Sequence, residues 1–275
     1  MKHNSKLCAM AIGAALATTI TLTAQAGDAP AVSGVNAKAA LSGTYVNEDS
    51  TSAKYGGLLS GSVTAPVSHE FGFQADGVVG KRRGDTIAGI GGHLFWREPT
   101  TGLVGVTASY LNVNVGGTTG HLSAARVGGE GEFYSGPFTV AFQSGYQNGH
   151  HVDDGYYGSL TGYWYPDENL RLGIGAANDP TRDTTGLADV EFMPGLAGIP
   201  GLSLFADGRL GKNSYATAQV GVRFYFGQGK SLKARNREDD PIFNLPNSSY
   251  SETPTSQEES GCPKGYSMYR GRCET

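Results

Sequence analysis

The chain lacks most of what marks a soluble enzyme. It has three cysteines in 275 residues, and Cys8 falls in a leader-like N-terminus, leaving Cys262 and Cys273. A lone pair makes a poor metal site, and in an exported chain two nearby cysteines read as one disulfide. No Gly-x-Ser-x-Gly elbow, HExxH or P-loop pattern occurs, so the sequence offers no catalytic motif and calls for no cofactor or metal. After Ala26 there is no apolar run long enough for a membrane helix. That excludes a helical membrane protein but not a barrel, whose strands carry only a weak, alternating signal. Positive charge is also scarce, which argues against a nucleic-acid partner.

What is present begins with an export signal. Lys2, His3 and Lys6 precede a short apolar stretch from Leu7 to Leu22, and Ala24-Gln25-Ala26 supplies a small-x-small cleavage site. Residues 1–26 are read as a cleaved signal peptide, because the run is short for a hydrocarbon core about 30 Å thick. Its removal takes Lys2 and Lys6 from the 21 basic residues, leaving 19 against 25 acidic ones and a net charge of −6.

Glycine is abundant, 42 of 275, about twice the usual share, and it follows no collagen repeat. From Val35 to Phe226 apolar and polar residues alternate, the pattern of strands with two unlike faces. Ala216, Ala218, Val220, Val222, Phe224 and Phe226 share one face of the last segment, against Thr217, Gln219, Gly221, Arg223 and Tyr225. The division recurs in segments expected near 34–46, 55–66, 70–80, 86–97, 103–113, 123–134, 138–147, 155–165, 169–178, 185–193, 201–211 and 215–226. Short links near Pro66, Pro99, Gly136 and Pro166 alternate with generally longer polar ones, such as Asn47 to Lys54 and Asn114 to His121.

Aromatic residues are sorted along the apolar face. Trp96, Trp164 and Phe226 fall near the short links, and Tyr45, Tyr55, Tyr110, Tyr146 and Tyr156 near the long ones. Amphipathic rings settle at both membrane–water interfaces, giving two girdles around an apolar band. Apolar faces on every segment, with no helical segment to cover them, require lipid. A soluble β-sandwich is the competing reading. The expectation is all-β: an up-and-down antiparallel transmembrane β-barrel of about twelve strands over residues 34–226, preceded by a short periplasmic segment, 27–33. Residues 227–275, rich in Ser, Pro, Asn and Glu, are expected to form a flexible periplasmic tail ending in the Cys262–Cys273 loop.

The stretch Gln219-Val220-Gly221-Val222-Arg223-Phe224-Tyr225-Phe226 resembles the C-terminal β-signal of bacterial outer-membrane, porin-like barrels. That resemblance implies an outer-membrane location, contact with outer-membrane lipid and lipopolysaccharide, and recognition by the barrel assembly machinery. The signal usually closes a chain, whereas here a tail follows. The runs around Lys230-Ser231-Leu232 and Arg237-Glu238-Asp239-Asp240-Pro241 resemble small proteobacterial envelope proteins, a likeness that implies no activity.

The face opposite the apolar one carries Asp76, His93, Arg97, Arg126, Glu130, Glu132, Arg171, Asp189, Glu191, Asp207, Arg209 and Arg223. Two readings of this lumen stay open: mutually satisfied ion pairs that make the barrel rigid, or a polar channel whose selectivity those charges set. Twelve strands lie between a filled interior and an aqueous pore. Small inward residues such as Gly72, Ser60, Gly128 and Gly173 are expected to leave space for water. The primary expectation is a narrow porin-like channel for small polar solutes. The alternative is a non-conducting structural or adhesin-like protein. A barrel enzyme comes third, through His121 and the loop His150-His151-Val152-Asp153-Asp154, residue types that suit a transition-metal ion but also read as a solvated loop. Lys81-Arg82-Arg83 is read as an outer loop that either contacts lipopolysaccharide phosphates or is simply solvated. Oligomeric state is not legible.

Overall fold

The computed structural model describes residues 29–47, 54–82, 84–114, 121–180, 183–212, 214–227, 229–242, 245, 267–269 and 272–274. The expected signal peptide lies outside them. So does Cys262, and with it the expected disulfide.

Twelve strands follow one another: β1 Asn36–Asn47, β2 Lys54–Pro66, β3 Phe71–Arg82, β4 Asp85–Glu98, β5 Gly102–Asn114, β6 His121–Ser135, β7 Phe138–His150, β8 Gly155–Asp167, β9 Leu170–Asp179, β10 Asp183–Phe192, β11 Leu202–Leu210 and β12 Ala216–Tyr225. Each pairs antiparallel with the next, and β12 returns to β1 with Leu41 opposite Val222 and Lys38 opposite Tyr225. The sheet closes on itself, so no strand edge is left unpaired. This is the up-and-down barrel expected from the alternation, with strand ends within three residues of those read from sequence. Such agreement follows from the strict period of two, which fixes the face of every residue once one is placed.

Burial along the strands decides between membrane barrel and sandwich. In β3, residues alternate from exposed Phe71 and Phe73 to buried Gly72, Gln74 and Asp76. The exposed side is the apolar one: Leu41, Leu59, Val79, Val106, Val127, Leu160 and Val220 all face outward. Ile174 is 76% exposed, while Gln74 and Glu191 are fully buried. A sandwich buries its apolar face and solvates the polar one; here the order is inverted. A continuous apolar outer surface of this extent is stable only in a non-aqueous surround, and lipid supplies it.

The aromatic rings meet across neighbouring strands at both rims. Tyr45 faces Tyr55 with ring centroids 5.6 Å apart, and Tyr146 faces Tyr156 at 5.4 Å. At the other end Phe71 pairs with Trp96 and Phe138 with Trp164. The rims are therefore distinct: tyrosines at the loop end, Phe and Trp at the tight-turn end. Gly136 opens the two-residue link between β6 and β7 with φ +53°, a conformation that favours glycine at the first position of a tight hairpin turn.

The segment after β12 is not a plain linker. Residues Leu232–Glu238 form a helix, α1, capped by Ser231, whose side chain accepts from the Ala234 N–H. Leu232 packs against Met193 and Tyr225. So short a helix has little stability alone; docking on the barrel holds it, which is why its sequence reads as a linker. Farther on, β13 Ser267–Tyr269 and β14 Arg272–Glu274 pair as a small hairpin. The basic run also departs from expectation: β3 extends through Arg82, which turns inward and is buried while Lys81 faces out. The two do not form one phosphate-binding patch.

Candidate functional site: the barrel lumen

Closure of the sheet places one face of every strand around a single interior. Asp76, His93, Arg97, Arg126, Glu130, Glu132, Arg171, Asp189, Glu191, Asp207, Arg209 and Arg223 all occupy inward register positions of their strands. Seven of them belong to two networks on opposite walls.

The first network lies on β2 to β6. The His93 ring stands between two carboxylates, with Nε2 3.0 Å from Asp76 Oδ2 and Nδ1 2.9 Å from Glu130. Each ring nitrogen thus faces a carboxylate oxygen within hydrogen-bond distance. Gln74 Nε2 donates to Asp76 Oδ1 at 2.9 Å, and Thr64 Oγ1 lies 2.9 Å from Gln74 Oε1. The second network lies on β9 to β12. Arg171 donates to both oxygens of Asp189, at 3.0 and 3.1 Å, and reaches Glu191 at 3.2 Å. Arg223 meets the same Glu191 at 2.6 Å, while Ser203 and Tyr225 hydroxyls donate to its other oxygen. One buried carboxylate thus joins two guanidinium groups.

Besides Tyr225, strand parity places the rings of Phe95, Tyr157, Tyr163 and Phe205 inward. Arg97 lies over Phe95, Arg126 over Tyr157, Arg171 over Tyr163 and Arg223 over Phe205, 4.5–5.0 Å from the ring centroids. These contacts explain several small neighbours. A Cβ at Gly72 would come within 2.5 Å of Phe95 and Val32, one at Gly128 within 2.6 Å of the Tyr157 hydroxyl, and one at Gly173 within 2.7 Å of Tyr163. The glycines expected to leave room for water leave room for rings instead.

Both terminal segments enter the tight-turn mouth. On the N-terminal side Val32 packs with Phe95 and Leu103. Beneath the opposite side lies α1: Lys233 binds Glu168, Leu232 N–H donates to Asn169, and Asn236 donates to Tyr165. Arg97 ties the two termini together by donating to Ala31 O at 3.1 Å and Asp239 O at 3.0 Å. The chain then climbs. Thr64 donates to Asp240 at 2.9 Å, Ile242 N–H donates to Glu132 at 2.8 Å, and Leu245 N–H donates to Asp76 at 3.1 Å. Leu245 ends among Leu58, Val78, Ile87, Leu111, Val113, Leu122 and Ala124, an apolar patch on the inner wall with Val152 of the β7–β8 loop packed against it. The expectation of a uniformly polar lumen does not hold here. The alternation in β2 to β6 is interrupted by apolar residues on the inner face as well, Leu58, Ile87 and Leu111.

Between these closures the wall stays partly open to solvent. Ser60, Ser109, Asp189, Asp207 and Gln219 are inward, half-buried and near mid-height. Asp189 stands opposite Asp207, and Asp207 opposite Gln219, so three polar side chains form a row across β10 to β12.

The rim histidines are brought together. His121 and His150 rings are 5.4 Å apart and those of His150 and His151 4.0 Å. Asp154 is engaged by the Gly149 N–H and Asn148. Among the described residues no group of three His, Cys, Asp or Glu is arranged to hold a metal ion.

No protein-family model matches the sequence, and no curated protein matches it. Its fold does have counterparts. The KdgM porin, solved in complex with disordered oligogalacturonate, superposes with a TM-score of 0.51 at 9% identity, covering 68% of this chain and 99% of that one. The translocator domain of autotransporter NalP from Neisseria meningitidis gives 0.52 at 12% identity, over 71% and 88%. The chain has the fold of a bacterial outer-membrane β-barrel. Its apolar outer band and two aromatic rims support an outer-membrane location.

Proposed function

We propose that this outer-membrane barrel is a narrow porin-like channel for small polar solutes, closed in the state described. The observation that carries the reading is the half-buried row of Asp189, Asp207 and Gln219, with Ser60 and Ser109, at mid-lumen. In a barrel built only as a solid post, inward side chains at this height would be packed away from solvent. Both charge signs line the path, which suits neutral, zwitterionic or small ionic solutes better than an acidic sugar chain such as that held by the KdgM porin. Recognition by the barrel assembly machinery, through the segment ending at Phe226, and contact with lipopolysaccharide belong to the same proposal.

Single-channel recording of the refolded mature chain in planar bilayers tests it. Discrete steps whose reversal potential in a salt gradient shifts in Asp207→Asn support the channel. An inserted barrel that stays silent favours the second reading, a non-conducting structural or interaction protein. The Arg171–Glu191–Arg223 network and the occupied tight-turn mouth favour that reading.

A further inference from the structure

We infer that the C-terminal segment, from α1 to Leu245, is a displaceable strap that holds the lumen shut, and that its release is how the barrel conducts. This rests on the channel reading above.

The barrel does not need the strap for closure. β12 hydrogen-bonds directly to β1, and none of residues 229–242 adds a strand to the sheet. The strap joins the barrel through Gly227, which turns the chain back with φ +89°. Its fastenings then rise along the inner wall. Glu168 and Asn169 hold α1 at the β8–β9 turn, and Arg97 holds Asp239 near the end of β4. Thr64 and Glu132 hold Asp240 and Ile242 near the ends of β2 and β6. Asp76 and the apolar patch hold Leu245 halfway up β3. The polar fastenings are mostly single hydrogen bonds that water can replace once the segment leaves, beside the apolar contacts of Leu232, Ile242 and Leu245, and a helix as short as α1 melts when undocked. Order–disorder of a tethered segment is an established type of molecular switch.

Leu245 gives the strap a reversible lock. A Cβ at Gly91 would lie 3.5 Å from Leu245 Cγ, the position a cysteine Sγ at 245 would take, which puts Gly91→Cys and Leu245→Cys within reach of a disulfide. The full chain carrying this pair, with Cys262→Ser and Cys273→Ser, is inserted in planar bilayers oxidised and then reduced. A second full-length variant, Leu245→Asp, puts a charge in the apolar patch and loosens the anchor. We expect no openings when oxidised, recovery on reduction, and open probability about tenfold or more above the native chain in Leu245→Asp. Equal conductance in oxidised and reduced forms overturns the strap and leaves the channel reading standing. Silence in every form, with insertion shown by heat-modifiable migration, overturns both.

Discussion

Leu245 and His93 share one carboxylate: Asp76 Oδ2 accepts the Leu245 backbone N–H at 3.1 Å and faces His93 Nε2 at 3.0 Å. A residue of the C-terminal segment is thereby joined to the buried network of β3, β4 and β6. Asp76→Ala is expected to lower barrel stability by about 3 kcal/mol or more, the usual cost of breaking a buried pair. Denaturant unfolding in lipid vesicles measures it, and a change below about 1 kcal/mol would show that the network is decorative.

Glu191 is expected to be the costlier member of its own network. Glu191→Gln leaves Arg171 and Arg223 without their shared counter-charge, at about 3–5 kcal/mol. Tyr225→Phe removes one bond to the same carboxylate and should cost about 1.5–3 kcal/mol. The order of the two, read from unfolding midpoints, is the test.

Placement in the membrane predicts a depth dependence. Val127 lies outward near the middle of β6 and Phe133 outward near its tight-turn end. Val127→Arg should cost about 2–4 kcal/mol of folding free energy in lipid, and Phe133→Arg about 1 kcal/mol for its charge. Equal costs would mean that the outer face is not lipid-exposed.

Two glycines of β3 should behave oppositely. A Cβ at Gly72 would meet Phe95 and Val32 at 2.5 Å, whereas one at Gly77 meets nothing within 4 Å. Gly72→Ala is expected to destabilise by about 1–3 kcal/mol through overpacking, and Gly77→Ala to be neutral or slightly stabilising. Thermal melting of the two variants side by side distinguishes them.

Arg97 links the two termini across the tight-turn mouth. Arg97→Ala should expose α1, so that trypsin cuts at Arg235 or Arg237 about tenfold faster while the barrel stays intact, each tenfold corresponding to about 1.4 kcal/mol of opening free energy. An unchanged cleavage rate would show that α1 is held elsewhere.

Much of the barrel was readable before any coordinates. Alternation through Val220, Val222 and Phe224 against Gln219, Gly221 and Arg223 is a local property with a period of two, and it assigns each residue a face without reference to the rest of the chain. The tyrosine and Trp/Phe sorting is equally local, because each ring's depth follows from its distance to the nearest turn.

The contents of the lumen depended on tertiary structure. Sequence parity places Asp76, His93 and Glu130 on inward faces, but does not set His93 within about 3 Å of both carboxylates; strand register brings it there. Nothing local shows that Gly173 makes room for Tyr163, or that Leu245 returns to Asp76 across 169 positions of sequence. Local patterning therefore determined the wall: which residues face lipid, which face inward, and how many strands there are. Only the folded chain decided what fills the interior, because that depends on contacts between segments far apart in sequence, whose geometry no local period encodes.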